Sequence, residues 1–366
     1  MPQIESRTKL PVAILGATGS VGQRFVTMLA NHPWFEVAAL MASERSAGKT
    51  YRDAVRWVQT APIPEAMADM PVTRCEPSKT PPLVFSALDS SVAGPLETGF
   101  ARAGACVVSN AKNHRMDPDV PLVVPEVNPD HVALIECQSF GAGSILTNPN
   151  CSTIGLVLAL KPLADAFGLE QVHVVTMQAV SGAGIPGLSS YEILDNVIPF
   201  ISGEEEKMES ETRKILGSLR TDGIDPAPVT VSAQCNRVPV IDGHTECVSV
   251  KLSRAVSADE LLEAWRSFMP EPQQRALPSA PQRPIHVILD PAGPQPRLHR
   301  DLDGGMATAV GRLRPCPLMD YKFVTLSHNT VRGAAGGALL VAELAHARGL
   351  VVRTADAGRI QPALPR

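Results

Sequence analysis

Cys151 is the residue of this sequence with the most chemistry in it. It stands in Asn148-Pro149-Asn150-Cys151-Ser152-Thr153-Ile154-Gly155, where a loop runs directly into an apolar helical stretch. A thiol at a helix start meets unpaired N–H groups and the positive end of the helix dipole, both of which favour the nucleophilic thiolate. A second polar stretch runs from Asn236 to Glu246. It sets Arg237 on an extended segment and His244 just past the Asp242-Gly243 turn. Those are the residue types for holding a carboxylate and for moving a proton. Nine histidines make any one of them weak evidence by itself; His244 draws its weight from its company.

The third chemical stretch is Gly16-Ala17-Thr18-Gly19-Ser20-Val21-Gly22, which follows the short buried-type strand 12–15 and opens a helical stretch over 23–31. Strand, glycine turn and helix start in that order make a cradle for dinucleotide phosphates. The spacing is GxxGxxG, which differs from the GxGxxG of many NAD enzymes. A second strand, 36–41, ends at Ser43-Glu44-Arg45-Ser46. The two hydroxyls and the guanidinium suit a 2′-phosphate, which favours NADP, while Glu44 is the acid that an NAD site would use. Thiolate, imidazole and nicotinamide together are the parts needed to oxidise an aldehyde through a thioester.

The elements that must position these groups fall into two patterns. Strands 83–88 and 106–109, with a helix over 93–103 between them, continue the alternation of the start, so residues 1–150 read as an α/β, Rossmann-like, doubly wound parallel sheet. Residues 122–128 are expected as its late strand, and 145–147 deliver the chain to Cys151. After a helix over 152–167 come longer strands at 171–180, 229–233 and 246–252, with alternating apolar and polar positions. Residues 151–330 therefore read as an α+β catalytic and dimerisation domain with a mostly antiparallel sheet, one face wet and one under helices. The loop Ser181-Gly182-Ala183-Gly184 suits close backbone approach by a ligand.

Composition narrows the rest. At 366 residues and 44% hydrophobic, the chain can bury a large core in two domains. A net charge of −4 with no long basic run argues against nucleic acid or an anionic membrane as the main partner. Seven cysteines include no CxxC pair and no Cys/His run at zinc-ligand spacing, so neither a metal site nor a disulfide framework is expected. Residues 1–9 lack the apolar core of a signal peptide, and Lys161 interrupts the apolar stretch after Cys151. A cytoplasmic protein is the expectation. The tail beyond Gly349, with Pro362 and Pro365, is expected to be loosely held.

Taken in order, these stretches resemble the aspartate-semialdehyde dehydrogenases, in the branch found in archaea and fungi, nearly end to end. The resemblance rests on the segments 16–22, 42–49, Asp119-Val120-Pro121-Leu122-Val123-Val124-Pro125-Glu126-Val127-Asn128, 148–153, Gln178-Ala179-Val180-Ser181-Gly182-Ala183-Gly184 and 237–246. It implies an NADP-dependent, phosphorylating enzyme interconverting L-aspartate 4-semialdehyde and 4-phospho-L-aspartate, on the route to lysine, threonine, methionine and isoleucine. It also implies a homodimer or homotetramer. Carried over by position, it makes Cys151 the acylated nucleophile, His244 the general acid/base, and Gln178 and Asn150 the groups that orient the reacting centre. Arg237 would hold the substrate carboxylate, Glu204 its amino group and Lys207 the phosphate, with Arg115 and Asn113 sharing the phosphate. Glu205 and Glu206 remain alternatives to Glu204. Cofactor contacts would come from Gly16, Thr18, Gly19, Ser20, Val21, Ser43, Arg45, Ser46, Ala87, Ser181, Gly182 and Asn329, the last reached just before a closing helix over 331–350 returns to the cofactor domain.

Other readings share these parts. A malonyl-CoA reductase would keep Cys151, His244 and NADPH and exchange phosphate for CoA; N-acetyl-glutamyl-phosphate reductase is a more distant relative. An idle paralogue would bind NADP without turnover, although Cys151, Gln178, Arg237 and His244 are all present.

Overall fold

The sequence Leu-Pro-Val-Ala-Ile-Leu at Leu10–Leu15 (β1) is buried from Val12 onward, which is the signature of a strand covered on both faces. The computed structural model describes residues 9–352 apart from Lys79 and Asp222; the tail past Val352 lies outside the described residues. β1 is joined in one parallel sheet by Phe35–Ala42 (β2), Val72–Arg74 (β3), Leu83–Ser86 (β4), Cys106–Ser109 (β5) and Ser144–Thr147 (β6), in the order β3-β2-β1-β4-β5-β6. The chain winds outward from β1 in one direction and then in the other from β4. The carboxyl ends of β1 and β4 are therefore the switch point at which such sheets bind ligands. The turn Gly16-Ala17-Thr18-Gly19 sits there and leads into the helix Ser20–Leu29.

Contacts divide the chain into two compact units, one of residues 1–121, 132–148 and 341–366, the other of 122–131 and 149–340. The first holds the parallel sheet. The second holds a mixed sheet of Leu169–Gln178 (β7), Thr230–Arg237 (β10), His244–Leu252 (β11), Ile285–Ile288 (β12), Thr308–Pro315 (β13) and Tyr321–Ser327 (β14), and a separate hairpin of Ser218–Arg220 (β8) and Gly223–Asp225 (β9). Its order is β10-β7-β11-β14-β13-β12. The three central pairings are antiparallel, whereas β10–β7 and β12–β13 are parallel. The expected fold class, a Rossmann-like unit and a second unit with its own sheet, is what the structure has. One face of the mixed sheet packs under the helices Cys151–Phe167 and Ala258–Arg266 through Leu156, Leu160, Val174, Val248, Leu261, Trp265 and Phe323, all buried. No helix among the described residues is long and apolar enough to cross a membrane.

Residues 122–128 correct the sequence reading, because they do not form the late strand of the parallel sheet. Asn128 closes the segment into a loop, accepting the Val124 N–H at 2.8 Å and donating to the Leu122 carbonyl at 2.8 Å. Leu122, Val124 and Val127 then pack on Ile154, Val157 and Leu158 of the Cys151 helix. The apolar run is real, but the side-chain amide satisfies the backbone groups that a strand ladder would otherwise take. The helix expected at 331–350 runs over Gly336–Ala347 and is preceded by a π turn, Val331–Ala335.

Candidate active site

The helix Cys151–Phe167 begins on the cysteine itself. Its cap is Asn150, whose Oδ1 accepts from the N–H groups of Ser152 at 2.9 Å and Thr153 at 3.2 Å. The rest of Asn150 is also engaged. Its backbone N–H donates to the buried carboxylate of Glu211 at 2.7 Å, and its Nδ2 donates to Glu204 at 2.6 Å. Fixing Asn150 in this way fixes the residue after it. Gly333 closes in on the cysteine from the π turn: a Cβ there would lie 2.7 Å from the Cys151 Cβ. That turn is anchored by Arg332, which donates through Nη1 and Nη2 to Glu126 at 2.9 and 2.6 Å, both side chains fully buried.

His244, the first residue of β11, brings Nε2 to 3.2 Å from the Cys151 sulfur. Its Nδ1 accepts the Ala179 N–H at 3.0 Å. A backbone N–H can only donate, so Nδ1 carries no proton and the ring proton sits on Nε2, aimed at the sulfur. Burial, then the charges of Arg237 and His328, push the His244 pKa down to about 3. His244 is thus a neutral imidazole donating toward the sulfur. The carbonyl of the same Ala179 accepts from Arg237 Nη1 at 2.7 Å. Gly182 leaves the room for this: a Cβ there would be 3.0 Å from Nη1 of Arg237 and 3.5 Å from the His244 ring. Burial lowers the Arg237 pKa, with Cys151 and Glu204 opposing it, and the guanidinium remains a cation.

Gln178, the last residue of β7, donates to the Ser152 hydroxyl and lies 3.5 Å from Glu204 Oε1. Glu204 opens the helix Glu204–Ile215, and its other oxygen accepts from Lys207 at 3.0 Å. Burial pushes the Glu204 pKa up, but Lys207, Asn150 and Arg237 together outweigh it and hold the carboxyl below its usual value. Of the three consecutive acids, Glu204 is the buried one; Glu205 accepts the Cys235 N–H at 2.9 Å and Glu206 is exposed. Asn329 joins two loops of the site, accepting the Gly243 N–H at 2.8 Å and donating to Ser181 Oγ at 2.7 Å.

The other predicted residues lie in the first unit. Gly16 has φ +73°, and a Cβ there would meet the Ala87 carbonyl oxygen at 2.5 Å, so only glycine lets β1 and β4 end this close together. Gly19 caps the helix Ser20–Leu29 and brings no side-chain bond of its own to the first N–H groups. Such an end suits a pyrophosphate. Ser43 and Arg45 are exposed in the turn after β2, with Ser46 half-buried and Thr18 half-buried in the glycine turn. Arg115 is buried and donates to the Asn110 carbonyl at 2.7 Å; Asn113 donates to the Ser90 carbonyl at 2.9 Å.

Sequence reasoning missed Ala179, which acts through its backbone, and Ser152, Glu211 and the Glu126–Arg332 pair. Glu211 alone left a trace, standing two helical turns after Glu204 on the same face.

Comparison with known proteins places the chain among the semialdehyde dehydrogenases. A family model described as semialdehyde dehydrogenase, NAD binding domain, matches residues 11–135, and one described as semialdehyde dehydrogenase, dimerisation domain, matches residues 160–332. The aspartate-semialdehyde dehydrogenase of Schizosaccharomyces pombe is 51% identical over 352 residues, covering 93% of this chain and 99% of the relative. That of Archaeoglobus fulgidus is 50% identical over 337 residues, covering 91% and 97%. Among solved structures, the Candida albicans enzyme with NADP is similar at a TM-score of 0.87 and 46% identity, covering 94% of this chain and all of that one. Aspartate semialdehyde dehydrogenase II of Vibrio cholerae, complexed with ASA, follows at 0.75 and 28%, covering 93% and 99%.

Gly333→Ala is expected to displace Cys151 and slow its alkylation by iodoacetamide by on the order of tenfold or more. Mass spectrometry of the Cys151 peptide would read the rate; an unchanged rate in a folded variant would show that Gly333 does not set the cysteine's position.

Proposed function

The chain belongs to the aspartate-semialdehyde dehydrogenase family, and from that premise we propose that it reduces 4-phospho-L-aspartate to L-aspartate 4-semialdehyde, reversibly, through a thioester on Cys151. The observation that carries this reading is the contact of 3.2 Å between the Cys151 sulfur and a His244 nitrogen that bears a proton. Cys151 attacks the acyl carbon, the carbon–oxygen bond to phosphate breaks, and the thioester forms. NADPH, when bound, supplies the hydride that reduces that thioester. The His244 N–H stabilises the oxyanion of the resulting thiohemiacetal, and the carbon–sulfur bond then breaks to release aldehyde and thiolate. Because His244 is neutral, its role resembles that of a hydrogen-bond donor aimed at developing charge.

Arg237 is the substrate-carboxylate residue, supported by its burial beside Cys151. Glu204 takes the amino group and Lys207 the phosphate, a division that the existing ion pair between them would open to admit. Arg115 and Asn113 are assigned to the phosphate by position in the family alone. Gly16, Thr18, Gly19, Ser20 and Val21 with Ala87 would hold the pyrophosphate of NADP, and Ser43, Arg45 and Ser46 its 2′-phosphate. Ser181, Gly182 and Asn329 would serve the nicotinamide end. The assembly is a homo-oligomer through the second unit, a dimer or a pair of dimers. The CoA-ester and idle-paralogue readings gain no observation of their own, and Glu204 is a partner for an amino group that malonyl-CoA lacks.

Purified protein given L-aspartate 4-semialdehyde and NADP+ should produce NADPH only when phosphate is added. Turnover of malonate semialdehyde with CoA in its place would instead move the chain to acyl-CoA reduction. His244→Asn should cut turnover by about two to three orders of magnitude with NADPH affinity retained, and unchanged turnover would remove His244 from the mechanism. Arg237→Lys keeps the charge but loses the two-point contact, so KM for the amino-acid substrate should rise; a KM equal to wild type would count against that role.

A further inference from the structure

The catalytic groups share one face of the mixed sheet with a second polar row that the mechanism does not use. Glu246 stands two residues past His244 on β11, hence on the same face and about 7 Å along the strand. It pairs across the sheet with Thr176 on β7 and Thr325 on β14, and Thr176 pairs in turn with Cys235 on β10. The next row, Val174, Val248 and Phe323, is dry core. Glu246 is 1% exposed, and among the described residues neither carboxyl oxygen has a hydrogen-bond partner.

The groups facing it supply no cation. Thr176 and Thr325 are uncharged, burial pushes the Cys235 thiol up to about 12, and His244 is neutral. The Cys151 helix carries no charged residue from Cys151 to Leu160. Glu204 and Glu205, within electrostatic reach of Cys235, are themselves acids. Arg237, one row up, is turned to the Ala179 carbonyl. A carboxylate in such a place would bear its whole desolvation cost with nothing to offset it, and burial accordingly holds the Glu246 pKa well above the usual carboxyl value.

We propose that Glu246 is a positioning residue that works as a neutral carboxylic acid beneath the Cys151–His244 pair, and that its ionisation disables the pair at alkaline pH. The proposal rests on the Cys151–His244 mechanism above. An anion at Glu246 would oppose the oxyanion formed at Cys151.

The test is Glu246→Gln, which reproduces the shape of the neutral acid and cannot ionise. A folded-state pKa raised above the unfolded value means that wild type loses stability as pH rises from the ordinary carboxyl range upward. The variant's stability relative to wild type, from urea unfolding, should therefore grow by about tenfold in the unfolding constant per pH unit above about pH 5, until Glu246 ionises within the fold. A difference independent of pH, or one favouring glutamate at the alkaline end, would overturn the neutral acid whatever the substrate proves to be. For positioning, kcat/KM of the variant near neutrality should lie within about twofold of wild type, while its alkaline limb shifts upward. Loss of activity in a folded variant at neutral pH, or an alkaline limb identical in both proteins, would overturn the positioning role. Iodoacetamide labelling of Cys151 across the same pH range should show the same shift, and because it needs no substrate it tests the positioning role whichever acyl acceptor the enzyme uses.

Discussion

The register of the mixed sheet is the constraint on which the site depends. Arg237 pairs with Gln178 across β10 and β7, and Ser327 pairs with His244 across β14 and β11. The Thr245–Met177 pairing, continued by one residue, sets His244 level with Gln178. Four polar side chains thus lie in one row at spacings fixed by strand separation, about 4.8 Å per step. A slip of one residue in any pairing would turn that strand's contribution to the opposite face. The helix Cys151–Phe167 lies over this row, with Gly155 so near that a Cβ would stand 2.8 Å from the Ser327 Cβ. The sulfur is therefore held against a rigid ladder.

Burying so many polar groups is costly, and the structure meets the cost by sharing partners. Asn150 serves the helix start, Glu204 and Glu211 at once; Ala179 serves His244 with its N–H and Arg237 with its carbonyl. Glu204 is offset by Lys207, and Glu126 by Arg332. Removing one partner from such a set strands the other in a dry interior, which costs more than the pair contributes. The Ala179 N–H has a chemical consequence as well, since it dictates the tautomer that aims the His244 proton at sulfur.

How far the sequence revealed this arrangement depended on whether a signal was local. The strand-glycine-helix order at residues 12–29 was legible because each step has a distinct backbone demand, and Cys151 was legible because an asparagine followed by an apolar run marks a helix start. The loop at 122–128 was not, since Asn128 lies at the end of an apolar run and only its side-chain bonds to Val124 and Leu122 show that it closes a loop. Strands β12 to β14 were also missed, since only β14 pairs with β11 and the other two join the sheet in turn through β14 and β13. Choosing Glu204 among three acids required knowing which one the helix turns inward. Ala179 was beyond reach, because a residue that acts through its backbone leaves nothing in its side chain to read.

The gradient across the covered face of the sheet explains why so few charges suffice. Below the catalytic row the side chains become threonine, a carboxyl and a thiol, and below those valine, alanine and phenylalanine. Water is excluded from beneath, so the field of Arg237 is weakly screened where Cys151 and His244 lie. That is why the guanidinium depresses the His244 pKa while the sulfur works against the depression of its own. Donors fixed in advance in such a medium stabilise developing negative charge without reorganising at the moment of reaction. In a wetter sheet the same residues would lose most of that advantage, so the apolar rows deep in the second unit belong to the chemistry as much as the row that touches the sulfur.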